Sequence, residues 1–277
     1  MRLEGRALSE PMKRSGSAYE MARLPKARRL VIAGLRVGAR RHIMYGLGEI
    51  DVTRPRQYIR EHKVRTGETL SFTAFIVACL AKAVEANKLL HAYRDWRNRL
   101  VLFDEVDVVT MIEAETGEVA IPHIVRAANK KTVREIHDEI RAVQAQPATS
   151  AQRSGLLMRL GEHAPGFLLN LFFRLAPKNP HWLKRTSGTV VLTSVGMFAG
   201  GGGWGFTILP LHTLGITLGG LVEKPGVVNG RIEIREYLDM TISVDHDIVD
   251  GAPGARFVRR LRELIESGFG LEINVWP

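Results

Sequence analysis

The sequence predicts an α/β sandwich, because segments with strand-like patterns alternate with segments of helical period. A hydrophobic content of 45% in 277 residues is sufficient to bury a sizeable core. The single cysteine, Cys79, excludes an internal disulfide and a multi-cysteine metal site. These observations indicate one mixed α/β domain rather than a helical bundle or a disulfide-rich fold.

Two helices are predicted in the first half of the chain. Pro55 is acceptable in a first helical turn, where its missing N–H would have no helical partner. The cap candidates are Thr53 or Asp51 for a helix that runs through His62, and Ser71 or Thr69 for a helix over residues 71–87. The second helix carries Cys79 in an apolar run, so we interpret this cysteine as a core residue rather than a nucleophile.

Strands and a third helix follow. Residues 100–125 are rich in valine and isoleucine on both sides of Thr116 and Gly117, which predicts strands joined by a turn. Thr132 is expected to cap a helix that runs to Gln146. This order of elements continues the alternation of strands and helices.

The most informative segment for function is residues 241–251, which read Thr-Ile-Ser-Val-Asp-His-Asp-Ile-Val-Asp-Gly. The alternating apolar positions predict a strand that ends near His246. A helix over residues 252–267 follows Asp250 and Gly251. A histidine at a strand end, where clefts form, can act as a base near neutral pH.

The spacing of His246, Asp250 and Gly251 resembles the active-site signature of the chloramphenicol acetyltransferase-like superfamily. More narrowly, it is similar to the catalytic domain of the 2-oxo acid dehydrogenase acyltransferases. Residues 189–200, Thr-Val-Val-Leu-Thr-Ser-Val-Gly-Met-Phe-Ala-Gly, resemble the strand and glycine-rich turn of that family. The resemblance covers roughly residues 24–145 and 188–270. It implies a two-layer sandwich with a mixed β-sheet and helices on one face.

The resemblance also implies roles for four residues. His246 would take a proton directly from the thiol of coenzyme A or of the acceptor, without an acyl-enzyme. Thr193 stands where the family has the serine or threonine that stabilises the oxyanion. Ser194 is the second candidate, because neighbouring side chains of a strand point to opposite faces. Asp250 is expected to orient the loop by pairing with an arginine.

Substrates and partners follow from the same resemblance. Acyl-coenzyme A is the expected donor, and the net charge of +10 suits its phosphates. The acceptor is dihydrolipoamide, another thiol, an amine or an alcohol, and a lipoyl-bearing protein is a possible partner because no lipoyl domain is recognised here. A homotrimer is expected, with catalytic groups from different subunits. The histidine spacing disfavours a metal site.

We divide the chain into a loosely ordered segment, residues 1–23, and a catalytic domain, residues 24–277. Within that domain, residues 147–187 form a basic and apolar insertion that the family lacks. The insertion is interpreted either as a membrane-surface segment or as a cover for an apolar surface of this chain or a neighbour. Asp247 is a second departure, because the family usually has an arginine there. A carboxylate facing His246 would raise the pKa of its imidazole.

Two other classes of function remain open. Asp247 and the insertion also fit a non-catalytic structural or assembly protein that retains the fold. The net charge alone suggests a nucleic-acid binder, without a recognisable binding motif. The sequence contains no run of eighteen apolar residues and its basic N-terminus lacks a signal-peptide pattern, so we expect a cytoplasmic protein.

Overall fold

The computed structural model describes Met21 and residues 27–113, 120–145, 164–196 and 201–271. The helices are α1 (Ala27–Gly38), α2 (Thr53–Thr66), α3 (Phe72–Glu85), α4 (Val133–Ala145), α5 (Gly166–Leu175), α6 (Pro180–Ser187) and α7 (Gly251–Ser267). The strands are β1 (Ile43–Asp51), β2 (Tyr93–Arg94), β3 (Leu100–Val101), β4 (Val108–Glu113), β5 (Ala120–Val125), β6 (Val190–Ser194), β7 (Leu214–Val228) and β8 (Arg231–Asp245).

Six strands form one mixed sheet in the order β1-β8-β7-β6-β4-β5. Strand β6 runs parallel to both β4 and β7, and the other pairs are antiparallel. Strands β2 and β3 pair separately. The main core lies between this sheet and α3, α4 and α7. The predicted α/β sandwich with a mixed sheet is therefore confirmed.

Helix α3 forms the centre of the helical layer because its residues are almost all apolar. It packs against both α4 and α7. Its first turn is capped by Ser71, whose Oγ accepts a hydrogen bond from the N–H of Ala74 at 3.2 Å. Cys79 lies within α3 without solvent exposure, and burial raises the pKa of its thiol. The structure therefore agrees with its interpretation as a core residue.

The starts of α2 and α4 also have local causes in the sequence. Asp51 accepts a hydrogen bond from the N–H of Thr53 at 2.9 Å, and Pro55 lies in the first turn of α2. Before α4, Thr132 and Glu135 form a reciprocal capping box, in which each side chain accepts from the backbone N–H of the other residue. Helix α2 continues four residues beyond its predicted end at residue 62 and stops before Gly67 in a left-handed conformation.

The second face of the sheet is covered by the segment 201–212 and not by the main helical layer. Leu209 of this segment is fully buried against Val191 and Gly215. A Cβ at Gly215 would overlap the side chain of Leu209, so the close approach requires a glycine. Outside this segment, α1 and α5 pack together, with Gly34 near both Phe173 and Pro210.

The described part of the insertion, residues 164–187, forms α5, a short 3₁₀ turn and α6. The remaining insertion residues, the predicted turn at Thr116 and Gly117, and nearly all of residues 1–23 lie outside the described residues. Among the helices described, none combines the length and the hydropathy that a membrane crossing requires.

Candidate functional site

His246 lies directly after β8, which ends at Asp245. Its backbone N–H donates to the carbonyl of His42 at 2.8 Å, which ties this turn to the start of β1. Its side chain is half exposed, and its Nδ1 lies 4.0 Å from Oδ1 of Asp250. The structure therefore places His246 at a strand end, where the sequence predicts it, and brings Asp250 beside it.

Asp250 precedes α7 in the N-cap position, with an extended backbone. Its carboxylate is 85% exposed and makes no capping hydrogen bond. Among the residues that the structure describes, no arginine lies within ion-pair distance of this carboxylate, so the expected pairing with an arginine stays a prediction.

An arginine does secure the same strand end, through the preceding residue. Nη2 of Arg41 lies 2.5 Å from Oδ2 of Asp245, whose side chain is only 4% exposed. Nη1 of Arg41 donates to the carbonyl of His212 at 2.7 Å. Nε2 of His212 donates to the carbonyl of Ser187 at 2.7 Å, and burial lowers the pKa of His212 to about 4. This network connects the turn before β1, the end of β8 and the segment before β7.

Sequence reasoning did not identify this role of Arg41. Arg41 and Asp245 are 204 positions apart, so no local spacing reveals the pair. The only signal is the position of Asp245 directly before the motif histidine. The pair is evident only when β1 and β8 are seen side by side.

Asp247 faces His42 rather than His246. Its Oδ1 lies 2.8 Å from Nδ1 of His42. This hydrogen bond and the charge of Asp247 raise the pKa of His42, and the same contact lowers the pKa of Asp247. The predicted effect of Asp247 on His246 required the two side chains to face each other, and they do not.

Thr193 and Ser194 lie far from His246 within one chain. Thr193 pairs with Thr217, Thr217 pairs with Thr241, and His246 lies five positions beyond Thr241. With strands about 4.8 Å apart and a rise of about 3.4 Å per residue, the two candidate catalytic groups are separated by about 20 Å. The structure does not bring them together in one subunit.

The two hydroxyls point to different faces of β6. Ser194 shares the face of Leu192, which is buried against the main core, whereas Thr193 shares the opposite face with Val191. Thr193 is half-buried, and no described residue forms a hydrogen bond with its hydroxyl. Thr217 beside it bonds instead to Thr207 at 2.8 Å. Thr193 is therefore the hydroxyl available on the face that the segment 201–212 covers.

One group of residues has the composition of a metal site. Potential ligand atoms of Glu68, His137 and Asp138 lie within 4.8 Å of one another. Arg134 forms ion pairs with both carboxylates: its Nη1 lies 2.6 Å from Oε2 of Glu68, and its Nε lies 3.1 Å from Oδ1 of Asp138. Nδ1 of His137 accepts the N–H of Ser71 at 3.0 Å, which leaves Nε2 as the donor to Glu68 at 3.2 Å. A hydrogen-bonded cluster therefore accounts for this arrangement.

Two curated relatives extend over most of the chain. One is the dihydrolipoyllysine-residue acetyltransferase component of a pyruvate dehydrogenase complex from Rickettsia conorii, 25% identical over 199 residues, or 72% of this chain and 40% of that protein. The other is the lipoamide acyltransferase component of a branched-chain alpha-keto acid dehydrogenase complex from Bacillus subtilis, 23% identical over 224 residues, or 79% of this chain and 45% of that protein. The chain spans less than half the length of these relatives.

Among solved structures, the dihydrolipoamide acetyltransferase of Azotobacter vinelandii superposes with a TM-score of 0.68 at 15% identity, covering 95% of this chain and 99% of that one. That structure belongs to work on the role of a serine, a histidine and an asparagine in its catalytic mechanism. At this identity the likeness confirms the fold alone, which is the two-layer sandwich with a mixed sheet described above.

The family whose sequence pattern matches is described as "2-oxoacid dehydrogenases acyltransferase (catalytic domain)". The match covers residues 25–153 and 183–271, and it leaves out the segment that contains α5. It includes both strand ends that carry the candidate site. The chain therefore belongs to the 2-oxoacid dehydrogenase acyltransferase catalytic-domain family.

Proposed function

We propose that this protein is an acyltransferase that moves an acyl group between coenzyme A and a thiol acceptor, with His246 as the general base. The observation that carries the proposal is the half-exposed imidazole of His246 at the end of β8, with the carboxylate of Asp250 beside its Nδ1. A carboxylate at Nδ1 favours the tautomer with a proton on that atom, which leaves Nε2 free to accept a proton. Family membership supports the same class of reaction.

The proposed reaction is a direct transfer. Nε2 of His246 removes the proton of the attacking thiol, whose sulfur forms a bond with the thioester carbonyl carbon. The tetrahedral intermediate carries a negative oxygen, which the hydroxyl of Thr193 would stabilise by about 3 kcal/mol. The intermediate then loses the leaving thiolate, which takes the proton from the imidazolium. No covalent acyl-enzyme is needed, which agrees with the buried, protonated thiol of Cys79.

The site that performs this reaction is proposed to form between two copies of the chain. Thr193 and His246 lie about 20 Å apart in one subunit, beyond the reach of one tetrahedral intermediate. A neighbouring subunit that presents its Thr193 to His246 would complete the site. Closed rings, of which the trimer is one, repeat such a contact around one axis. We therefore propose a homotrimer with the active site at the subunit interface.

The proposed substrates follow the relatives, which are components of 2-oxo acid dehydrogenase complexes. Acyl-coenzyme A is the proposed donor and dihydrolipoamide the proposed acceptor, with a lipoyl-bearing protein as its natural carrier. The acyl chain is best determined with a panel of donors.

The direct test is the release of coenzyme A from acyl-coenzyme A donors in the presence of dihydrolipoamide. The wild type is compared with His246→Ala and with His181→Ala, a control that removes an exposed imidazole from α6. We expect acceptor-dependent release by the wild type and by His181→Ala, and a loss of about 100-fold or more in His246→Ala. Equal release by all three proteins would overturn the assignment of His246. A trimer without release from any donor would favour the non-catalytic assembly role.

A further inference from the structure

A cleft of about 730 Å³ lies beside the end of β8, between α1, α5 and the loop that joins β2 to β3. Asp245 and Asp247, which flank His246 in the sequence, line one end of this cleft. The positively charged residues that line it are Arg40, Arg41, Arg94, Arg174 and Lys178. The cleft is therefore bounded by cations from three separate regions of the chain.

The acidic residues that line this cleft already have partners. Asp245 pairs with Arg41 at 2.5 Å, and Asp247 pairs with His42 at 2.8 Å. The third acidic residue, Asp95, pairs with Arg99 at 2.8 Å.

The positive charges are in excess. Arg41 is the lining cation that neutralises one of these acids. The other four, Arg40, Arg94, Arg174 and Lys178, have no carboxylate within 4.0 Å among the described residues. Four like charges that converge on one cleft repel each other and favour a bound anion. Arginine suits phosphate in particular, because its planar group donates two parallel hydrogen bonds.

The remaining walls suit the organic part of a ligand. Trp96 is 67% exposed at one side of the cleft, and the guanidinium of Arg97 lies over its ring at 4.4 Å from the centroid. The exposed part of the ring offers apolar contact. Leu171, Phe173 and Leu175 of α5 form an apolar wall on another side. A ligand with phosphate groups and an apolar or aromatic part matches both features.

We propose that this cleft binds the phosphate groups of an organic phosphate, and that Arg174 and Lys178 are its chain-specific ligands. Both residues lie in the segment that the family match leaves out, so the insertion would add this site to the common fold. If the ligand is the acyl donor, the site deepens the proposed function, on which that assignment of the ligand rests. Phospholipid headgroups carry the same chemistry, and the exposed apolar face of α5 borders the cleft.

The test uses binding rather than turnover, so its outcome is independent of catalysis. Desulfo-coenzyme A carries the phosphates of the donor but no thiol, and vesicles of phosphatidylcholine with and without phosphatidylglycerol present the headgroup alternative. Each probe is titrated against the wild type, Arg174→Ala/Lys178→Ala, and the control Arg65→Ala/Arg231→Ala. The control removes the same charge from exposed positions on α2 and at the β7–β8 turn.

We expect the cleft variant to bind its phosphate ligand at least about tenfold more weakly than the wild type and the control, with an affinity that falls as salt is added. Loss with desulfo-coenzyme A identifies the donor, and loss with anionic vesicles alone identifies a lipid headgroup. Binding of neither probe, or equal binding by the two double variants, would overturn the proposal. If binding is lost as expected but no acyl transfer occurs, only the proposed function fails.

Discussion

At the scale of single residues, the contact between His246 and Asp250 is open to solvent and longer than a hydrogen bond. The two side chains are 50% and 85% exposed, and the nearest atoms are 4.0 Å apart. An exposed ion pair contributes about 0–1 kcal/mol, so Asp250 would assist the histidine rather than share its proton chemistry.

We therefore expect Asp250→Asn to lower kcat by about tenfold or less, because about 1 kcal/mol of orientation would be lost. The KM values should change little, because the carboxylate need not contact either substrate. Steady-state kinetics with a thioester donor would measure both constants. A fall in kcat as large as that of His246→Ala would contradict this supporting role.

The contact between His42 and Asp247 can be tested through the pKa of His42. The hydrogen bond and the charge of Asp247 raise the pKa of His42 above its ordinary value of 6.5, so the pair favours the folded state most below pH 6.5. This contribution is lost as the pH rises through the raised pKa of His42.

In Asp247→Asn the pKa of His42 should return toward 6.5, which NMR of the imidazole protons would follow. Glu263→Gln, which alters a distant exposed pair on α7, is a control that should leave the titration unchanged. An unaltered midpoint in Asp247→Asn would show that His42 and Asp247 do not interact in solution.

The motif around His246 could be predicted from sequence because its strand, turn and helix are consecutive, so local pattern determines their arrangement. The partner of Asp247 could not be predicted in this way. His42 is 205 positions away, and its place beside the turn depends on the pairing of β1 with β8. Arg41 could not be predicted as the partner of Asp245 for the same reason, because 204 positions separate them.

At the scale of elements, Arg41 connects three segments that meet at the end of β8. Its removal would leave the carboxylate of Asp245, only 4% exposed, without its ion pair.

We expect Arg41→Ala to lower the free energy of unfolding by about 3 kcal/mol and to lower kcat, because the turn that holds His246 would lose its anchor. Arg41→Lys should recover part of the stability and less of kcat, since a lysine cannot reach both acceptors with one rigid group. Urea unfolding measures the change in stability, and steady-state kinetics measures the change in kcat. Wild-type kcat in Arg41→Ala would exclude a positioning role.

The helices predicted from caps and apolar periods are α2, α3, α4 and α7. Their start signals are adjacent in sequence, as in the Thr132–Glu135 capping box. Helix α1 was not predicted, because its exposed face mixes arginines with apolar residues and its packing partner α5 is far away in sequence. The sequence places the end of α2 too early because its last turn, residues 63–66, is mostly polar.

At the scale of the whole molecule, two buried histidines link stability to pH. Burial lowers the pKa of His91 and of His212 to about 4, whereas an unfolded histidine titrates near 6.5. Between these values the unfolded chain binds more protons than the folded protein.

The free energy of unfolding should therefore fall as the pH drops from about 6.5 to about 4. His212→Gln removes one of these titrating groups and should flatten this dependence, which urea unfolding at a series of pH values would record. An equally steep dependence in His212→Gln would contradict the contribution assigned to that histidine.

The separation of Thr193 from His246 is also a property of the whole molecule. The strand register fixes it, because β6 and β8 are two strands apart and the two groups lie at different levels of the sheet. We therefore propose that a functional site with both residues joins two subunits. Sequence motifs identify the two halves of such a site without showing that they belong to different copies of the chain.

The most direct test of this shared site is complementation between two inactive variants. His246→Ala and Thr193→Ala are co-expressed with different tags, mixed oligomers are purified, and acyl transfer is measured. If each site takes its histidine from one subunit and its threonine from the next, every mixed trimer contains one complete site among three. The purified mixed trimers should therefore show about a third of the wild-type activity per subunit. Mixed oligomers that are no more active than the separate variants would contradict an active site formed between subunits.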